Sequence, residues 1–188
     1  MRPYRTRSLA CSACEARVKD YFALLARYNL WATRRIYESL DALSEADYRG
    51  DTGLFFRSIH GTLNHLLVAS DRVWYRRFAE GVSPRDVQLS DELETDRENW
   101  KAAQQRSAAH GCDFVASVSV ERYAGMIEYT TMRGTVAVLP FAATLAHVFN
   151  HSTHHRGQIT AALTARGHAA PALDLVYMLQ QEQARPAG

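Results

Sequence analysis

From Val18 to Leu43 the chain runs without Gly or Pro, and Phe22, Leu25, Asn29, Ala32, Ile36 and Leu40 recur at three- and four-residue intervals. That spacing puts side chains on one face of a helix, so an amphipathic helix is predicted over 18–43. The polar stretch SEADYRGDTG supplies turn and capping chemistry, and Leu54 to Glu80 reads as a second helix closed by Gly81 and Pro84. Ser90 followed by DELE has the form of an N-cap with an acidic first turn, which predicts a third helix from Ser90 to Ala109, ended by HGC. Between Val118 and Leu139 the pattern changes. β-Branched and aromatic residues flank MRG there, as expected of a short β-hairpin or an extended crossover. Pro140 then opens a fourth long helix that reaches Arg166 and stops at Gly167, and PALDLVYMLQQEQ forms a brief C-terminal helix with Pro171 at its start.

Four long helices with one irregular connection between the third and fourth predict an all-α fold, a four-helix bundle with a hairpin or extended crossover. A chain of 188 residues is the size of one domain, assigned to 18–188, with residues 1–17 as an N-terminal tail. Hydrophobic content of 47% with 22% charged residues is that of an ordinary globular protein and argues against disorder. A formal charge of +2 leaves no nucleic-acid footprint and no membrane-surface patch. The absence of a transmembrane run, of a secretory h-region and of an even cysteine count predicts a cytoplasmic protein. Cys11 and Cys14 have zinc-ligand spacing in CSAC, but no second CxxC follows, so a solvated tail is the favoured reading.

Four of the eight histidines fall within the stretch HVFNHSTHHRGQ, at His147, His151, His154 and His155. On a wheel of about 100° per residue, the apolar stripe of the fourth helix is Phe141, Leu145, Val148, Ile159 and Leu163. His151 and His155 sit at its edge, together with Gln158 and Ala162, whereas His147 and His154 lie toward the polar side. Two inward imidazoles four residues apart can bind one cation, which would also satisfy polar groups that cost roughly 1–3 kcal/mol each when buried without a partner. In such bundles a third ligand comes from a facing helix. The second helix offers two candidates. His60 shares its arc with Arg57, Asn64 and Asp71, a solvent-like face, while His65 shares its arc with Thr62, Leu66 and Ala69. Alone on an apolar helix, His65 would be read as a core residue hydrogen-bonded to a neighbour; beside an inward histidine pair it becomes the better ligand candidate. The pattern argues against a zincin, because HSTHH has Ser152 and Thr153 following its first histidine and so lacks the glutamate base of H-E-x-x-H. Arg156 is read as a partner in a structural ion pair rather than as a receptor for an anionic substrate group, and Gly157 as a point of close helix packing.

YFALLARYNLWATRRIYESL, SIHGTLNHLLVASDRVWYRRF and, most specifically, HVFNHSTHHRGQI resemble the DinB-like, or YfiT-like, family of metal-dependent enzymes. The likeness covers the chain from about Val18 onward. It implies an up-down-down-up four-helix bundle, often homodimeric, that binds a divalent cation through three histidines, here His65, His151 and His155. Relatives in that superfamily include thiol-dependent S-transferases and a mycothiol-dependent isomerase. Three neutral imidazoles leave a coordination position open, the pattern of a catalytic site. The leading expectation is a metal-dependent enzyme that activates a low-molecular-weight thiol and transfers it to a small-molecule electrophile. Hydrolysis by metal-bound water is the alternative, and a non-catalytic, stress-related metal-binding protein is the competing class. Imidazole ligands suit Zn and Ni first and Fe next. Spacing alone singles out no catalytic side chain.

Overall fold

A computed structural model describes residues 12–184 of the chain. The chain is mostly helical, with a small antiparallel sheet. Helix α1 (Ser12–Leu40) starts ahead of the predicted Val18. Of the CSAC pair, Cys11 lies outside the described residues and Cys14 outside the described side chains. Within SEADYRGDTG, the Ser44 side chain accepts from the Asp47 amide and caps a short helix, α2 (Glu45–Arg49), where the pattern predicted only a turn.

The second long helix starts later than predicted, at Ile59, because Ser58 caps it: the Ser58 hydroxyl accepts from the Gly61 amide at 2.9 Å. Residues 54–57 fold back in a tight turn, with the Arg57 amide bonded to the Leu54 carbonyl at 2.7 Å and Arg57 itself at φ 68°. Gly61 is obligatory there, since a Cβ on it would stand 2.2 Å from the Phe56 carbonyl oxygen. Helix α3 (Ile59–Leu67) passes through a π-helical segment, Val68–Trp74, into α4 (Tyr75–Glu80), which Gly81 ends at φ 70°.

The third long helix differs most from expectation. Ser90 and DELE lie in a loop; α5 spans Arg97–Ser117, capped by the Asp96 carboxylate on the Asn99 amide at 2.9 Å, and HGC does not stop it. Gly111 lies within α5, which is tied to α1 near one end, where Lys19 Nζ donates to the Ala116 and Val118 carbonyls, and to the turn after α1 near the other, where Lys101 pairs with Asp41. A short 3₁₀ segment (Val120–Ala124) leads into the hairpin, β1 (Met126–Thr130) and β2 (Val136–Pro140), paired from Met126 opposite Pro140 to Thr130 opposite Val136. Of the two forms predicted for this region, the hairpin is the one found. Helix α6 (Phe141–Ala165) and helix α7 (Leu175–Ala184) follow.

Contacts between side chains give the helix directions. Phe22 meets Phe149 and Asn29 meets Arg156, so α1 and α6 run parallel. Ser70 meets Ser107 and Phe78 meets Phe114, so α3–α4 and α5 run parallel, whereas Lys19 and Lys101 tie α1 and α5 in opposite senses. Phe78 against Phe141 and His65 against His151 make α3–α4 antiparallel to α6. Two apolar clusters occupy the two ends of these helices. One contains Ile36, Leu40, Ile59, Leu63, Trp100, Ile159 and Leu163; the other contains Phe22, Val115, Ile127, Phe141, Leu145 and Phe149. Each such side chain contributes about 1.5–3 kcal/mol on burial. Between the clusters α6 buries Ser152, His155 and Arg156, a polar layer in the middle of the protein. No described helix is long and apolar enough to cross a membrane.

Candidate metal centre

That polar layer holds the three histidines singled out in the sequence. His65 comes from α3, His151 and His155 from successive turns of α6, and their ligand-type nitrogens all lie within 4.8 Å of one another. The His151 Nε2 is 3.1 Å from the Nε2 of His65 and 3.1 Å from that of His155. His65 and His155 are buried, at 4% and 6% exposure, and His151 is half-buried. Among the described residues no cysteine or carboxylate joins the cluster.

The outer ring nitrogens decide what the inner ones can do. His65 Nδ1 is 2.9 Å from the Leu89 carbonyl oxygen, and His155 Nδ1 is 2.7 Å from Gln158 Oε1. Both partners only accept, so each Nδ1 carries the proton and each Nε2 presents a lone pair to the cluster. A single proton on His151 Nε2 cannot satisfy both neighbours, and lone pairs left facing at 3.1 Å repel. A cation satisfies all three at once. A tetrahedral ion with nitrogen ligands at about 2.0–2.1 Å holds those ligands roughly 3.3 Å apart, close to the observed spacing.

The electrostatics favour the ligating form. Removal from water pulls the His65 pKa down to about 4, against a partial opposing effect of the Leu89 carbonyl. Burial, reinforced by His155, His65, His147 and His154, pulls His151 down to about 3, and burial also lowers His155. All three are therefore neutral at pH 7. The Phe56 ring stacks on His65 at a centroid distance of 3.8 Å and tilts toward His155 at 5.8 Å, shielding one side of the cluster.

The remaining candidates lie elsewhere. His147 and His154 are exposed, with rings 5.7 Å from His151 and 5.0 Å from His155 respectively. His60, assigned to a solvent-like face by the wheel, is instead buried. Its Nε2 faces Glu92 and the Asn64 amide, and its ring meets Tyr48 edge-on. The wheel failed because Arg57 lies outside the helix and the loop carrying Glu92 and Glu94 covers that face. Arg156 has no ion pair among the described residues; it donates to Asn29 and Thr153 and lies over the Tyr28 ring. The Leu89 carbonyl and Phe56 escaped sequence reasoning. A main-chain acceptor on a loop has no residue signature, whereas Gln158 was at least visible on the same helical edge.

These features define the class: a mostly helical protein with a three-histidine cluster of metal-ligand geometry. The chain belongs to the DinB family, whose family profile matches residues 17–185. It is 27% identical over 185 residues to Protein DinB of Bacillus subtilis (strain 168), a match covering 89% of this chain and 100% of that protein. No solved structure matches it significantly.

Proposed function

We propose that this is a divalent-metal enzyme in which His65, His151 and His155 hold the cation inside an up-down-down-up four-helix bundle formed by α1, α3–α4, α5 and α6. The pairwise helix directions support that arrangement. The observation that carries the metal is the convergence of three Nε2 atoms whose outer nitrogens on His65 and His155 are held protonated by Leu89 and Gln158. A cation bound there, Zn or Ni first, supplies a Lewis-acid centre with room for one exogenous ligand. The reaction that fits best is transfer or conjugation of a small thiol to an electrophile; it rests on family membership and on the lack of a fourth protein ligand among the described residues. Hydrolysis is the second reading, favoured by the exposed His147 ring 5.7 Å from His151, positioned to exchange protons with water. A homodimer in the cytoplasm belongs to the same reading.

Elemental analysis of protein purified without metal-affinity resin tests the core of the proposal. Near-stoichiometric divalent metal in the wild type and in His60→Ala, with sharp loss in His151→Ala and His155→Ala, is expected. Metal that survives His151→Ala but leaves with His154→Ala or His147→Ala would reassign the site. A screen of thiol and electrophile pairs, beside one of ester and amide substrates, then separates the two reactions.

A further inference from the structure

We infer a second ligand site, independent of the histidines: the cavity between α6 and the segment joining it to α7 takes a small organic anion, with Arg156 as the receptor for its carboxylate. Arg156 is 3% exposed, yet among the described residues no carboxylate pairs with it. Its Nη1 donates to Asn29 Oδ1 at 2.6 Å, its Nη2 donates to Thr153 Oγ1 at 3.1 Å, and its Nε has no partner among the described residues. Among the described residues, every group it touches is neutral. A buried guanidinium without a counter-charge is costly, and a carboxylate is the group its planar fork fits best.

Arg156 lines a cavity of about 770 Å³, within the size range of small-molecule sites. The other walls are mainly small or apolar, including Gly157, Ala161, Pro171 and Leu173, and suit an apolar body. The hydroxyls of Thr160 and Thr164 donate to carbonyls of their own helix, which leaves the guanidinium as the cationic feature of the cavity. Asp174, exposed at the cavity wall, disfavours a dianion. The chemistry therefore selects a monocarboxylate with an apolar tail over phosphate. On α6 the cavity-lining Thr153, Gly157, Thr160 and Thr164 lie on the side of the helix away from His151 and His155, so the occupant is not a ligand of the metal centre.

Titration calorimetry of the full chain with hexanoate, benzoate, hexanol and inorganic phosphate tests the inference. Hexanoate or benzoate is expected to bind, with hexanol and phosphate at least roughly tenfold weaker. Gly157→Leu, which fills the cavity from an exposed helical position where nothing lies within 4 Å of the added Cβ, should abolish binding with an unchanged circular dichroism spectrum and unchanged metal content. Arg156→Met should abolish it as well. The site is overturned if neither carboxylate binds the wild type, if hexanol binds as tightly as hexanoate, or if Gly157→Leu binds like the wild type; tighter binding of phosphate would overturn the monocarboxylate assignment.

Discussion

Gln158 and Leu89 play equivalent parts in the histidine cluster, one with a side-chain oxygen and the other with a main-chain oxygen, but only the first can be changed without rebuilding a loop. Gln158→Leu keeps the size of the side chain and removes the acceptor for His155 Nδ1. Cation affinity should then fall by roughly 10–100-fold, the usual effect of deleting a group that orients a ligand, with helical content unchanged. Competition against a chromophoric chelator reads this directly; wild-type affinity in the variant would show that Gln158 does not orient the ring. The three ring positions themselves were legible because helical spacing sorts inward from outward faces. His60 was misassigned because its burial comes from loop residues 92–94, which lie some thirty positions away in the chain.

Among the elements, α6 was readable nearly end to end, since it carries a long pattern between Pro140 and Gly167; α1 was readable through its middle, but it begins ahead of the predicted Val18 and ends at Leu40, short of Leu43. The start of α5 was not readable. Ser90-DELE and Asp96-RENW are equally good N-terminal signals, and the second prevails because Trp100 and Gln104 then enter the core. The start of α3 was hidden for the opposite reason: Leu54, Phe55 and Phe56 look like a helical face but form the turn that lays Phe56 on His65. That turn depends on Gly61. In most helices Gly→Ala stabilises by up to about 1 kcal/mol, but here the added methyl meets the Phe56 carbonyl, so Gly61→Ala should destabilise by about 2 kcal/mol, a fall in thermal midpoint on the order of 5 °C. A raised midpoint would show that the turn yields freely.

At the scale of the whole molecule, the histidine layer couples stability to pH. His65 and His151 titrate near 4 and 3 in the folded chain and near 6.5 when exposed, so between those values the unfolded chain takes up protons that the folded chain refuses. Stability must therefore fall as pH drops below about 6.5, and it stops falling on this account only below the folded values. The thermal midpoint should decrease by on the order of 10 °C from pH 8 to pH 4. A bound cation adds to this, because protons compete for the same nitrogens. A chelator should lower the midpoint of metal-loaded wild type at pH 8, have little effect near pH 5, and leave His151→Ala unchanged throughout. An unvarying wild-type midpoint from pH 8 to pH 4 would rule out this coupling.

The polar layer between the two apolar clusters has a mechanical consequence as well. Leucine packs on leucine almost as well after a helix slides by one turn, about 5.4 Å, and two greasy ends alone would let α6 creep along α1. Arg156 opposes it. Slid one turn toward the start of α1, the guanidinium would leave Asn29 for Leu25 and Ala26, which offer it no acceptor; slid the other way, it would exchange the Asn29 amide oxygen for the hydroxyl of Thr33. His155, parted from His65, would lose its counterpart as well. The layer works like a key in its slot: the residues best suited to hold an ion also fix where along each other the helices stop.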